Sequence, residues 1–165
     1  MENIRVRRSV PGDIPAIQSL LRTEPKAVLE VDAKTLETWI GLGMSLVAVE
    51  RTNGAERIVG HQGASIWPEE AVGIKGLVEF RSAVIHPDHR GNGLNMQMKG
   101  MLLDMLAEEH PELTRVVVLK NSVSNGTNIL FELGFAQADP RTLPKAMLDL
   151  GGDQNWKVYT KSLTG

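Results

Sequence analysis

The sequence is 165 residues long, with a net charge of −2 and no cysteine. That length suits one domain built around one core. The lack of cysteine excludes disulfides, thiolate metal sites and a cysteine nucleophile, and the near-neutral charge argues against a general nucleic-acid binder, which carries a basic face.

Ile4 to Arg8 alternates apolar and charged residues and reads as a strand, with Arg5, Arg7 and Arg8 on a solvated face. Pro11-Gly12-Asp13 breaks it, and Asp13 is placed to cap a helix that buries Ile14, Ile17, Leu20 and Leu21. A second helix is expected from Ala33 to Leu42, with Leu36, Trp39 and Ile40 inward. Ser45 to Glu50 reads as a strand. Asn53-Gly54 is a hairpin turn, and the returning strand runs from Arg57 to Ile66, where Trp67-Pro68 ends it. Residues 68–76 read as a polar loop. Glu69 and Glu70 within it could attract a cationic amine, although two acids in a loop are ordinary.

Leu77 to His86 is the next strand. Asn92 to Glu109 is a long helix, stopped at His110-Pro111. Leu94, Met98, Met101, Leu102, Met105 and Leu106 form its buried stripe, so its methionines are core filler. Asn95, Lys99, Asp104 and Glu108 fall on the opposite face. Leu113 to Leu119 is a β-branched strand. Asn125 to Leu133 is a short helix closed by Gly134, Phe135 begins an extended segment, and Asn155 to Leu163 is the last strand. There is no repeat and no linker, and the element order is that of a mixed α/β fold. No apolar run approaches membrane length, and MENIRVRRSV lacks the apolar centre of a signal peptide, so a cytoplasmic protein with no membrane or nucleic-acid partner is expected.

The chemistry concentrates where the strand ending at His86 turns into the long helix. A helix start leaves unpaired N–H groups at the positive end of the helix dipole, so phosphates bind there. Gly91 and Gly93 carry no Cβ to hold an anion off the backbone, Arg90 adds charge, and Pro87 ends the strand. A dinucleotide loop would need a third glycine where Met96 stands, and a P-loop would need Gly-Lys-Ser/Thr, which the chain lacks. His86 and His89 read as turn residues, since no third metal ligand is in register. His61, between Gly60 and Gly63, is placed to face the acceptor side of a site. No Gly-x-Ser-x-Gly elbow supports a serine triad.

Ile85-x-Pro87-x-x-Arg90-Gly91-x-Gly93 resembles the acetyl-CoA-binding motif of the GNAT N-acetyltransferase family. IRVRRSVPGDIPAIQSLL is similar to that family's first strand and helix, VAVERTNGAERIVGHQGA to its central hairpin, and Leu130, Phe131, Gly134 and Phe135 to the close of its later helix. Residues 23–44, 66–76 and 139–154 have no clear counterpart. The resemblance implies a single GNAT domain over residues 1–165, with a mixed, mostly antiparallel central sheet, flanking helices and acetyl-CoA as acyl donor without a metal. It places the pyrophosphate on Arg90, Gly91, Asn92, Gly93, Leu94 and Asn95, and the pantetheine arm along Ala83, Val84 and Ile85. The later helix's contact with that arm falls on Ser124, with Asn125 beside it and Asn121 nearby. Asn95 stands where Gly or Ala is usual, and Phe131 stands where a tyrosine acid is usual.

A lysine-like amine is protonated at neutral pH, so a base is needed. Glu79 is the candidate. Strand alternation puts Glu79, Arg81, Ala83 and Ile85 on one face. Tyr159, the only tyrosine, is the candidate acid in place of Phe131, and water is the other. The reading is an N-acetyltransferase that moves acetyl directly to a primary amine of a small molecule or peptide, with a homodimer as a further arrangement the resemblance implies. A non-catalytic CoA-binding regulatory domain and an enzyme for longer acyl groups remain alternatives.

Overall fold

The structure, a computed structural model, describes residues 3–24, 30–120, 127–148 and 156–164. Seven strands follow the order β1-β2-β3-β4-β5-β7-β6. Of the neighbours, β1–β2, β2–β3, β5–β7 and β6–β7 pair antiparallel, and β4–β5 pair parallel. No described helix is long and apolar enough to cross a membrane. The chain divides into two compact units, Met1–Ala64 with Arg81–Leu102, and Ser65–Phe80 with Leu103–Gly165.

The first unit holds β1 (Ile4–Arg8), α1 (Ile14–Leu21), α2 (Ala33–Gly41), β2 (Ser45–Thr52), most of β3 (Ala55–Trp67), the end of β4 (Leu77–Ile85) and the first part of α4 (Leu94–Glu109). Ile14, Ile17, Leu20 and Leu21 are all buried, as the 3–4 spacing requires. Asn53 and Gly54 both take positive φ, 52° and 81°, which makes the β2–β3 turn the expected hairpin type. Asp13 departs from expectation. It makes no side-chain cap on α1. Its carboxylate instead accepts two hydrogen bonds from Arg7, at 2.7 and 3.0 Å, and one from the Val10 amide at 2.8 Å. Burial pushes that carboxyl up, but the Arg7 and Val10 donors and the Arg7 charge outweigh it, and the net shift is downward. Arg7 therefore leaves the solvated face and closes the turn after β1.

β3 divides its neighbours by parity. A Cβ built on Gly60 would meet Ile85, Ala48 and Met98 of α4, whereas one on Gly63 would lie 2.6 Å from the Trp39 ring of α2. α2 thus takes one face of β3, and the start of α4 takes the other.

The second unit holds α3 (Glu69–Val72), β5 (Arg115–Lys120), α5 (Thr127–Glu132), β6 (Ala136–Ala138), α6 (Lys145–Leu148) and β7 (Lys157–Ser162), with the rest of β3, β4 and α4. Val72, Leu77, Val117, Leu143, Met147 and Val158 make its core. The short helices α3 and α6 were not expected from sequence. Glu69 and Glu70 occupy the first turn of α3, where carboxylates complement the helix dipole. The parallel β4–β5 ladder runs from Leu77↔Arg115 to Phe80↔Val118. A parallel pair needs a crossover between its strands, and α4 lies between them in sequence.

Candidate active site

The turn from β4 into α4 matches its sequence reading closely. Pro87–His89 form one 3-10 turn, and the His86 side chain accepts from the Asp88 amide. Gly91 and Gly93 both sit at φ 77°, a conformation that penalises any side chain. A Cβ on either would point into open space, so it is the backbone angle that calls for glycine there. The first helical bond of α4 runs from the Gln97 amide to the Gly93 carbonyl at 3.0 Å. The amides of Leu94, Asn95 and Met96 precede it and have no helical acceptor. This arrangement suits a pyrophosphate, with open glycines ahead of the first amides of a long helix. Arg90 leans back across the turn: Nε donates to the Ile85 carbonyl at 3.1 Å, and the guanidinium pairs with Glu24.

Asn95 and Lys99 do not lie on a solvated face. Lys99 is only 5% exposed, and its Nζ donates to Asn95 Oδ1 and Gln62 Oε1, both at 2.7 Å. Gln62 donates in turn to the Gly63 carbonyl at 2.8 Å and the Arg81 carbonyl at 3.3 Å. The first turn of α4 is thereby tied to the backbone of β3 and β4. Sequence reasoning missed Lys99 and Gln62. The available signal was a glutamine beside a histidine within the small and apolar residues of VGHQGA, since polar side chains in such a strand are buried with partners.

The alternation expected along β4 fails at Ser82, whose φ is 58° in the middle of the strand. Arg81 lies over Trp39, on the α2 side of β3. Ile85 instead approaches Gly60 on the α4 side. The single face proposed for Glu79, Arg81, Ala83 and Ile85 is therefore wrong, because the left-handed residue between them reverses the parity.

His61 holds that irregularity. Its Nδ1–H donates to the Ser82 carbonyl at 2.8 Å. Nε2 is then the acceptor for the Ser45 hydroxyl at 3.0 Å, and Ser45 in turn accepts from Ser9 at 2.7 Å. The ring is 1% exposed and stacked on Trp39 at 6.4 Å. Burial lowers its pKa to about 4, with the Ser82 carbonyl opposing only in part, so it is neutral at pH 7. The sequence placed His61 toward an acceptor. The structure makes it a buried support for β4 instead.

In the second unit, Glu79 is 6% exposed, and Oε1 accepts from Trp67 Nε1 at 2.9 Å. Tyr159 is 2% exposed and meets the Phe131 ring edge-on at 5.8 Å, while Phe131 itself is 50% exposed. The only tyrosine thus sits against the residue that occupies the usual tyrosine's place. Ala83, Val84 and Ile85 are the last residues of β4, past the end of its ladder with β5. Ser124, Asn125 and Asn121 lie outside the described residues. Among the described residues, no group of three His, Asp or Glu could hold a metal.

No family model and no curated protein matches this sequence. Solved structures do. The N-acetylglutamate synthase of Neisseria gonorrhoeae, complexed with coenzyme A and N-acetylglutamate, matches with TM-score 0.73 at 19% identity, over 98% of this chain and 35% of that one. This chain therefore spans about a third of that enzyme's length. Rv2747 from Mycobacterium tuberculosis, in complex with CoA, matches with TM-score 0.72 at 21% identity, over 96% of this chain and 98% of that one. YhbS from Escherichia coli, a GNAT family N-acetyltransferase in complex with CoA, matches with TM-score 0.63 at 21% identity, over 98% and 82%. At such identities the likeness is one of fold, and the GNAT acyl-CoA N-acyltransferase fold is the fold of this chain.

Proposed function

We propose that this chain, built on the GNAT fold, is an acyl-CoA-dependent N-acyltransferase that moves an acetyl group to a primary amine by direct attack. The observation that carries the reading is the start of α4. Two left-handed, open glycines precede the amides of Leu94, Asn95 and Met96, ahead of the first helical bond. Solved relatives of the same fold hold CoA. In this reading, residues 90–95 take the pyrophosphate and Ala83, Val84 and Ile85 run beside the pantetheine arm. The acceptor is a small molecule or a peptide. One similar structure contains N-acetylglutamate and another a Gag peptide.

The amine nitrogen attacks the thioester carbon. A C–N bond forms, the C–S bond breaks, and the amine's surplus proton passes to Glu79 directly or through water. The Trp67 N–H holds the Glu79 carboxylate in place. Tyr159 gives the departing thiolate its proton, which explains how Phe131 is tolerated. A thiol with a pKa near 8.5 asks for little acid assistance, so Tyr159 contributes less than Glu79.

The test is thiol release from acetyl-CoA against a panel of amines. Glu79→Gln is expected to lower kcat/KM by about 100-fold, and Tyr159→Phe by about 10-fold. An acetyl-CoA-induced rise in Tm with no turnover on any amine would instead support a non-catalytic CoA-binding domain.

A further inference from the structure

The unusual group of β4 is the Arg81 guanidinium. Arg7 and Arg81 are the half-buried arginines, and Arg7 pairs with Asp13. Arg81 is half-buried, yet among the described residues no carboxylate pairs with it and no acceptor meets its N–H groups. Its one contact of this kind is the face of Trp39, 5.7 Å from the ring centroid. A ring face does not replace a carboxylate, which the N–H fork of a guanidinium grips with two bonds. Withdrawing a cation from water without a counter-ion is unfavourable, so a site of this kind is completed by an anion.

The platform beneath Arg81 is rigid. Trp39 is 2% exposed and stacks on His61. Gly63 lies so near the ring that a Cβ there would sit 2.6 Å from it. On the strand side, Gln62 holds the Arg81 carbonyl, and His61 holds that of Ser82. The guanidinium is therefore presented from a fixed position, which reduces the ordering cost of binding. Arg81 stands two residues along β4 from Ala83, which the reading above places beside the pantetheine arm.

We propose that Arg81 is a specificity-determining residue that binds a carboxylate of the acceptor, so that the substrate class is an amine that also carries a carboxylate, such as an amino acid. The inference rests on the acyltransferase reading above. The test compares free L-amino acids with their α-carboxamides, and dicarboxylic with monocarboxylic amino acids, as acceptors for acetyl-CoA. The proteins are the wild type, Arg81→Gln and Arg81→Lys. Circular dichroism and the acetyl-CoA-induced Tm shift report folding and donor binding separately.

The wild type is expected to prefer at least one acid over its matching amide by about 10- to 100-fold in kcat/KM, the range of a charge-assisted hydrogen-bond pair. Arg81→Gln is expected to abolish that preference and leave the amide rate and the acetyl-CoA shift in place. Arg81→Lys should restore part of it, since lysine keeps the charge and loses the fork. Equal use of acids and amides by the wild type would overturn the proposal, as would an equal loss on both in Arg81→Gln, which marks a structural role. Turnover only of amines lacking a carboxylate would overturn it and leave the acyltransferase reading standing. An absent acetyl-CoA shift, with no turnover of any amine, would remove both.

Discussion

The buried His61 ties stability to pH in a way that one substitution isolates. Burial holds its pKa at about 4, against an ordinary value of about 6.5. The unfolded chain therefore binds more protons than the folded one between those two values. The sign follows: the stability due to neutral His61 is fully present above about pH 6.5 and is lost as pH falls through about pH 4. Between about pH 7 and pH 4.5 the linkage amounts to about 2.4 kcal/mol. The Ser82 carbonyl opposes the shift only in part, the other partner of the ring is the Ser45 hydroxyl, and neither carries a charge that would hold a proton there. His61→Asn removes the titration and keeps a donor for the Ser82 carbonyl. Urea unfolding of both proteins across this range gives a difference curve. Carboxylates held below their usual range, Asp13 and Asp139 among them, act alike in both proteins and cancel. The wild type's advantage over the variant should shrink by about 2.4 kcal/mol on acidification. A flat difference curve would refute the reasoning, since it would mean that His61 meets the same proton affinity folded and unfolded.

Gly63→Ala drives a methyl group against a fully enclosed Trp39 and should destabilise by about 2 kcal/mol in urea unfolding. Gly60→Ala should cost less, because its nearest neighbour at 2.9 Å is the flexible end of Ile85. Ser82→Val should destabilise by about 2 kcal/mol, because a β-branched residue is strained at φ 58°. General strand preference would give the opposite sign, so the melting temperature of this variant separates the two arguments.

Features carried by nearest neighbours in the chain were readable before the structure. Pro87, Gly91 and Gly93 mark the strand end and the helix start by backbone angle alone, and Asn53-Gly54 marks the hairpin in the same way. The stripe from Leu94 to Leu106 placed α4 within a residue or two of its observed start. What could not be read depends on groups distant in sequence. Asp13 is a natural helix cap by local rules, but Arg7 across the turn offers two donors and draws the carboxylate away. Lys99 looks solvated beside Asn95 until Gln62 of β3 gives it a buried acceptor.

β4 shows the same limit where it matters most for function. Between Gly76 and Pro87 the stretch LVEFRSAVIH contains no glycine or proline to announce a break in the strand, and alternation runs through it unmarked. The break at Ser82 is held from β3 instead, by His61 on the Ser82 carbonyl and Gln62 on the Arg81 carbonyl. Its consequence is a change of face. Arg81 is left on the Trp39 side, while Ile85 turns toward Gly60 and Met98, next to the start of α4. An unbroken strand would put Arg81 and Ile85 on one face. One left-handed residue lets β4 present Arg81 on one side and lead into the proposed donor loop from the other. This explains why two buried polar side chains of β3 are spent on holding its backbone.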